Sequence, residues 1–397
     1  MISFRFLFIL NAVFMTAMMA YIPVIGPIIR EVGLQEWHGG LVVSCSGLAW
    51  MLVARHWGRL SDRKGRKPVL VIAGLAFVAS YWLLAYWLDL IMAGFATISL
   101  AFIGMLIGRT LIGISFAAMT PVSAAYVAQS TKPSERHRAL GGLGMANAVG
   151  MIAGPTIGGI LAAQDLVLPL YILAALALMI WVLVLFKLPS VPVFEQTNDH
   201  PVSLFDRRLR LPLTTCLVLM MAVISAQMII GFFILDNIYS AEQVSQTAKL
   251  SGITMACTGI TLVLVQGIVM KVKSDILYPS IWLGSLIGLS GLLLATTSTS
   301  ATQFVFGYVV MAAGLGPIFP AMQTMTANAV SDNEQGLAAG TLSAMQGLGS
   351  VIVPLLATLL YQFDSRLPFT TASFLLLVLA IVVGIQGKSK AISVIER

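Results

Sequence analysis

Long apolar segments separated by short polar loops are the feature that most constrains this chain. Hydrophobic residues make up 58% of its 397 residues and charged residues only 10%, whereas soluble proteins contain about a quarter charged residues. A helix needs about 20 apolar residues to cross a bilayer, so at about 33 residues per helix and loop the chain has room for about twelve spans. The pattern predicts an all-α integral membrane protein without a soluble catalytic domain.

The predicted spans cover residues 5–28, 39–56, 69–88, 99–128, 139–162, 168–187, 212–236, 248–270, 277–297, 302–329, 337–361 and 367–387. The apolar run 90–128 is longer than one helix needs, and charge decides how many spans it holds. Cytoplasmic loops collect Lys and Arg, so the basic segments 55–68 and 132–138 belong on the same side. An even number of spans must separate them. Because 69–88 supplies one span, 90–128 should supply one more.

The same charge rule predicts the orientation of the chain. The presumed cytoplasmic segments, which include both termini, carry 19 of the 23 Lys and Arg residues. The presumed outside loops carry Arg30, Lys249 and Arg366, and Arg109 lies within a span. This bias accounts for the net charge of +7 without a nucleic-acid partner. The first apolar run is longer than the core of a signal peptide, so we interpret it as a retained first span.

Matching residues recur at a constant offset of 199, close to half the chain. The pairs include Pro121 with Pro320, Glu135 with Glu334, Asn147 with Gln346, Gly150 with Gly349, and Pro155 with Pro354. This repeat predicts two six-helix bundles related by a pseudo-two-fold axis along the membrane normal. We expect bundles at 1–187 and 212–387, a cytoplasmic linker at 188–211 and a cytoplasmic tail at 388–397.

The segment between the second and third predicted spans combines two glycines, an acid and a basic cluster. We name these residues the latch motif: Gly58, Asp62, Arg63, Gly65, Arg66 and Lys67. The motif closely resembles the signature loop of the major facilitator superfamily. The resemblance implies the fold of that family and a cytoplasmic latch, in which the acid and an arginine contact neighbouring helix ends.

Two further spans resemble motifs of the same superfamily. In the fourth span, Arg109 precedes Gly113 by four residues, as in the family's helix-four motif, and an arginine inside the membrane predicts a functional role. The fifth span resembles the helix-five motif of the drug/proton antiporter branch of exporters. Its motif residues are Gly150, Gly154, Pro155, Gly158 and Gly159. Glycines four residues apart share one helix face and allow close helix packing.

The resemblance implies a central substrate cavity and coupling to an ion, with protons expected. Asp236 and then Glu31 are the candidate coupling acids, although both lie near predicted helix ends, where an exposed acid or a helix cap is the alternative. The candidate cavity residues are Asn11, Met15, Tyr126, Asn147, Gln227, Phe232, Gln323 and Gln346. A mostly apolar cavity of this kind favours amphipathic or cationic organic substrates over small anions.

The sequence predicts a transporter of the bacterial inner membrane that exports small organic molecules by alternating access, working as a monomer. Multidrug or toxic-compound efflux is the first interpretation. Export of one metabolite, such as a siderophore or a sugar, is the second, and a non-transporting receptor or scaffold is the third. An enzyme is not expected, because no dense constellation of intramembrane acids and histidines is present. The scattered Cys and His residues predict no metal site or cofactor.

Overall fold

A computed structural model describes residues 2–131, 133–190, 206–239, 243–269, 277–330 and 335–395. The backbone of these residues is almost entirely helical. Contacts divide the chain into two compact units, Met1–Asn198 with Val244–Gly252, and Asp199–Gln243 with Ile253–Arg397. The expected bundle boundaries remain predictions, and most of the expected linker (residues 191–205) lies outside the described residues.

The helices preceding residue 198 are α1 (Ile2–Ala20), α2 (Ile22–Glu31), α3 (Glu36–Lys64), α4 (Arg66–Met92), α5 (Ile98–Phe116), α6 (Met119–Ser130), α7 (Pro133–Ala162) and α8 (Leu168–Lys187). After a short 3-10 helix (Arg207–Leu209), the remaining helices are α9 (Arg210–Asn237), α10 (Val244–Val269), α11 (Leu277–Thr296), α12 (Ala301–Leu315), α13 (Ile318–Asn328), α14 (Gln335–Phe363) and α15 (Leu367–Ile395). Helix α15 therefore continues into the residues expected to form the tail.

Twelve segments among the described residues are long and apolar enough to cross a membrane, which confirms the predicted all-α, twelve-span fold class. The ambiguous run 90–128 contains the end of one span, Arg66–Met92, and a single further span, Ile98–Val127. The prediction of one additional span there is confirmed. That span consists of two helices, α5 and α6, separated by a short break.

Proline residues account for the breaks inside three of the spans. Pro23 follows the break between α1 and α2, Pro121 the break between α5 and α6, and Pro320 the break between α12 and α13. Proline lacks the amide hydrogen that would bond to the carbonyl four residues earlier, so the regular helix is interrupted there. Pro121 and Pro320 are each the third residue of their helix. The 199-residue repeat therefore corresponds to a repeated backbone feature.

Each unit, taken by itself, uses the same packing scheme. In the first, α1 packs on α7 and α8, and α4 packs on α5 and α8. In the second, α9 packs on α14 and α15, and α11 packs on α12 and α15. Buried aromatic rings join the helices, for example Phe14 and Phe77 with centroids 4.7 Å apart, and Phe233 and Phe304 at 5.5 Å.

Candidate functional site

The glycines of the fifth span bring α7 into direct contact with α1. A Cβ atom added to Gly150 would lie 2.7 Å from the Ala12 carbonyl oxygen, and one added to Gly154 would lie 2.6 Å from the Thr16 carbonyl oxygen. A Cβ on Gly158 would overlap the carbonyl oxygen of the next turn of α1. Only glycine permits this approach, so the three positions form one continuous contact face along α7.

The two remaining residues of the helix-five motif lie away from that face. Pro155 is buried inside α7, where its ring removes one helical hydrogen bond. A Cβ on Gly159 would lie 2.5 Å from Cα of Gly252, in the part of α10 that groups with the first unit. Gly159 therefore serves a second close helix contact within that unit.

Arg109 is buried in the middle of the fourth span, with 1% of its surface exposed. Its guanidinium carbon lies 4.6 Å from the centre of the Tyr21 ring, and Nη1 lies 3.5 Å from the Met18 carbonyl oxygen. Nε has no hydrogen-bond partner among the described residues. The side chain is enclosed by protein and does not reach the molecular surface. It is held at the break between α1 and α2 by the face of an aromatic ring, which attracts cations.

Within the latch motif, the arginine that is buried is Arg66. It is 3% exposed, forms an ion pair with Asp62 at 2.5 Å and donates to the Ser61 hydroxyl. Its Nε also lies 3.5 Å from Oε1 of Gln129 at the end of α6. Arg63 is exposed and Lys67 is partly exposed. The motif therefore ties the end of α3 to the end of the fourth span through one arginine.

The structure gives a reason for glycine at position 65 of the latch motif but not at position 58. The segment was expected to be a loop, but α3 continues to Lys64 and α4 begins at Arg66, which leaves Gly65 as the whole connection. Gly65 has φ of 93°, a conformation that favours glycine. A Cβ on Gly58 would meet no atom within 4 Å, so the structure gives no steric reason for a glycine there.

Two of the predicted cavity residues, Asn11 and Asn147, contact the same helix. Asn11 Nδ2 lies 2.9 Å from the Ser123 hydroxyl, and Asn147 Nδ2 lies 3.4 Å from the Thr120 hydroxyl, both on α6. We name these four residues the amide cluster. Ser123 and Thr120 carry no family motif, and their spacing of three residues on one helix is the only signal that could have identified them in the sequence.

Three other predicted residues of the first unit lie apart from this cluster or at its margin. Met15 is buried, and its Cβ faces Gly150. Tyr126 is buried and donates to the Pro189 carbonyl oxygen at 2.9 Å, which joins α6 to the chain after α8. Glu31 is exposed at the last position of α2.

In the second unit, Tyr361 connects two of the predicted residues. Its hydroxyl donates to Oδ2 of Asp236 at 2.7 Å, and its ring centre lies 5.8 Å from that of Phe232. Asp236 itself is exposed near the end of α9. Sequence reasoning missed Tyr361, because Asp236 lies 125 residues away from it along the chain.

The three predicted amide side chains of the second unit differ in how far they are buried. Gln227 and Gln346 are partly buried, and Gln323 is exposed. Among the described residues, no three or more His, Cys, Asp and Glu side chains are grouped in a way that could hold a metal ion.

Sequence comparison identifies related proteins that match this chain along most of its length. Multidrug resistance protein 1 of Bacillus subtilis (strain 168) is 28% identical over 365 residues, covering 89% of this chain and 88% of the relative. The class B tetracycline resistance protein of Escherichia coli is 26% identical, covering 86% of this chain and 84% of its own length.

Structural comparison gives the same fold. A D-xylose–proton symporter superimposes with a TM-score of 0.75 at 14% identity, covering 96% of each chain. A bacterial homologue of the human lysosomal transporter Spinster gives 0.74 at 14% identity, covering 97% of this chain and 96% of that one. The family model described as Major Facilitator Superfamily matches residues 7–277 and 215–390. Together with the glycine face of α7 and the buried Arg109, these matches show that the chain is a multi-pass membrane protein belonging to the Major Facilitator Superfamily.

Proposed function

We propose that this protein exports small organic compounds, including drugs, across the bacterial inner membrane by alternating access, coupled to protons. The observation that carries the proposal is the similarity, along most of the chain, to relatives named as multidrug and tetracycline resistance proteins. A dedicated metabolite exporter or a non-transporting receptor receives no comparable support. We further propose that the protein works as a monomer, with both termini in the cytoplasm.

The packing of the first unit supports a rocking mechanism. Alternating access requires each bundle to move largely as a rigid body around the substrate site. The glycine face of α7 places backbone against backbone along α1, so these two helices cannot slide without steric overlap. We assign the helix-five glycines to keeping this unit rigid during transport.

Drug export is tested by expressing the protein in bacteria that lack their own efflux pumps. The expected results are raised resistance to tetracycline and to lipophilic cations, together with ethidium efflux that stops when the proton gradient is collapsed. Gly158→Ala serves as the inactive comparison and Gly144→Ala as its matched control. Unchanged resistance and efflux, with the wild-type protein detected in the membrane, would refute drug export.

Asp236 is our candidate for taking up the coupling proton, with Tyr361 as the group that orients it. In vesicles with an imposed pH gradient, Asp236→Asn should transport without responding to the gradient. Asp364→Asn is the control, because Asp364 is also exposed in the second unit and accepts a backbone hydrogen bond from Arg366. Full pH-gradient dependence in Asp236→Asn would exclude Asp236 from coupling.

Orientation is tested separately by fusing a reporter that is active only in the cytoplasm to either terminus. Activity is expected at both ends. An inactive fusion at either end would contradict the proposed topology.

A further inference from the structure

The amide cluster of the first unit contains buried acceptors that the described residues do not satisfy. Asn11 is 1% exposed and Ser123 is 0% exposed. The side-chain oxygens Oδ1 of both Asn11 and Asn147 are buried and have no hydrogen-bond partner among the described residues. Buried polar atoms in folded proteins almost always have a partner, so two spare amide oxygens in one cluster point to a ligand.

Three contacts place the two amides at the same level of the unit. Thr120 and Ser123 are three residues apart on α6 and therefore lie on one face of it. Each accepts from one of the two asparagines. One turn beyond Asn147, Gly150 meets the backbone of α1 at Ala12, directly after Asn11.

The orientation of the Asn11 amide is determined by its neighbours. Its Nδ2 donates to the Leu7 carbonyl oxygen at 2.8 Å as well as to Ser123. A carbonyl oxygen can only accept, so the nitrogen must face Leu7 and Oδ1 must face the other way. Among the described residues, the Asn147 amide has the Thr120 hydroxyl as its hydrogen-bond partner, and a hydroxyl can donate or accept. Asn11 is therefore a fixed acceptor, whereas Asn147 can turn its amide over.

The charge of the unit restricts what can approach these acceptors. Arg109 is buried in the same unit. The acids described in this unit all lie in a loop or within one turn of a helix end: Glu31, Glu36, Asp62, Asp89 and Asp165. These acids therefore supply no counter-charge in the middle of the span, and a cationic group buried at the cluster would be left unpaired, which is costly. The cluster favours an uncharged donor.

Burial gives the cluster an open end and a closed end. Thr120 and Asn147 are partly exposed, whereas Asn11 and Ser123 are enclosed. A ligand group entering from this side reaches the adaptable amide first and the fixed acceptor last.

We propose that the amide cluster binds an uncharged hydroxyl or amide N–H group of the transported compound, with Asn11 Oδ1 as the acceptor that selects for the donor. This inference rests on the proposed function, because it assumes that the bound compound is one that the protein transports. The predicted hydrogen bond affects binding, so it can be tested without measuring transport.

The test measures binding of two probes to the full-length protein in nanodiscs. The probes are 4-phenylphenol and its methyl ether, which share an apolar scaffold and differ in one donor. Both are uncharged at neutral pH, because a phenol ionises only at about pH 10. Empty nanodiscs report partition into lipid, which is the same for every variant.

Asn11→Leu removes the acceptor at similar side-chain volume. Asn11→Val is a second variant, used if the Asn11→Leu protein does not insert into the membrane. Thr16→Val is the matched control, because Thr16 is a buried polar residue of the same helix whose hydroxyl donates to Ala12 of its own helix at 2.7 Å. We expect 4-phenylphenol to bind either Asn11 variant about tenfold more weakly than the wild type, as for loss of one buried hydrogen bond. The methyl ether should bind all variants alike, and Thr16→Val should behave as the wild type.

The inference is overturned if 4-phenylphenol binds the wild type no better than empty nanodiscs, or if the Asn11 variants weaken both probes equally or neither. Failure of drug export in cells, with the phenol preference intact, would instead count against the proposed function and leave the binding chemistry standing.

Discussion

Arg109 and Tyr308 occupy equivalent positions in the two halves of the chain, since 308 − 109 equals the repeat offset of 199. Both are buried, and each donates to a backbone carbonyl of the first long helix of its own unit. Arg109 Nη1 lies 3.5 Å from the Met18 oxygen, and Tyr308 Oη lies 2.7 Å from the Ala226 oxygen. Both halves therefore contain this interhelical contact, but the donor is a charged arginine in the first half and a neutral tyrosine in the second.

We predict that transport depends on the charged member of this pair. Arg109→Leu should abolish efflux while the protein still inserts, because removing a buried charge leaves no uncompensated ion behind. Tyr308→Phe should retain efflux and lose about 1 kcal/mol of stability, the usual value for one hydrogen bond. The two variants are compared by measuring efflux and normalising it to the amount of protein in the membrane. Equal loss of transport in both variants would argue for a purely structural role of Arg109.

The aromatic face beneath Arg109 should contribute measurably to stability. Tyr21→Leu removes the ring and is expected to cost about 2 kcal/mol, combining the lost cation–π contact with poorer packing. Tyr21→Phe keeps the ring and should stay within about 0.5 kcal/mol of the wild type. Unfolding in detergent, followed by tryptophan fluorescence, measures both. The cation–π account fails if the Phe variant is as unstable as the Leu variant.

Glycines of α7 should differ sharply in their tolerance of alanine. Gly158→Ala forces a methyl group into the backbone of α1 at Ala20 and should destabilise the protein by about 1–3 kcal/mol. Gly144→Ala, on the same helix, meets open space and should be neutral or stabilise by up to about 1 kcal/mol through helix propensity. Unfolding in detergent, followed by tryptophan fluorescence, measures the stability of both alanine variants. Similar effects at both positions would contradict the close approach of α1 and α7.

The latch motif should depend on Arg66 far more than on Arg63. Arg66→Ala removes charge-assisted bonds to Asp62, Ser61 and Gln129 and should cost about 1–3 kcal/mol. Arg63→Ala changes an exposed side chain and should stay within about 0.5 kcal/mol. Thermal unfolding of the purified variants tests the difference. If Arg63→Ala were the more damaging substitution, Arg66 would not be the residue that ties α3 to α6.

The class of fold, the number of spans and the family can be read from the amino-acid sequence alone. These depend on local properties, because the thickness of the hydrocarbon core sets the length of an apolar run and charge bias sets its side. The repeat offset and the spacing of Gly150, Gly154 and Gly158 are likewise visible along the chain. Periodicity alone places those glycines on one face of a helix.

The partners of the candidate residues become visible only in the folded arrangement of the helices. It selected Arg66 over Arg63 for burial, placed Arg109 against Tyr21, and brought Asn11 to Ser123 across 112 residues of sequence. The sequence lists polar and charged groups but not the distances between helices. Whether a group is paired, exposed or left with a spare acceptor depends on those distances, because hydrogen bonds and ion pairs act only over a few ångströms.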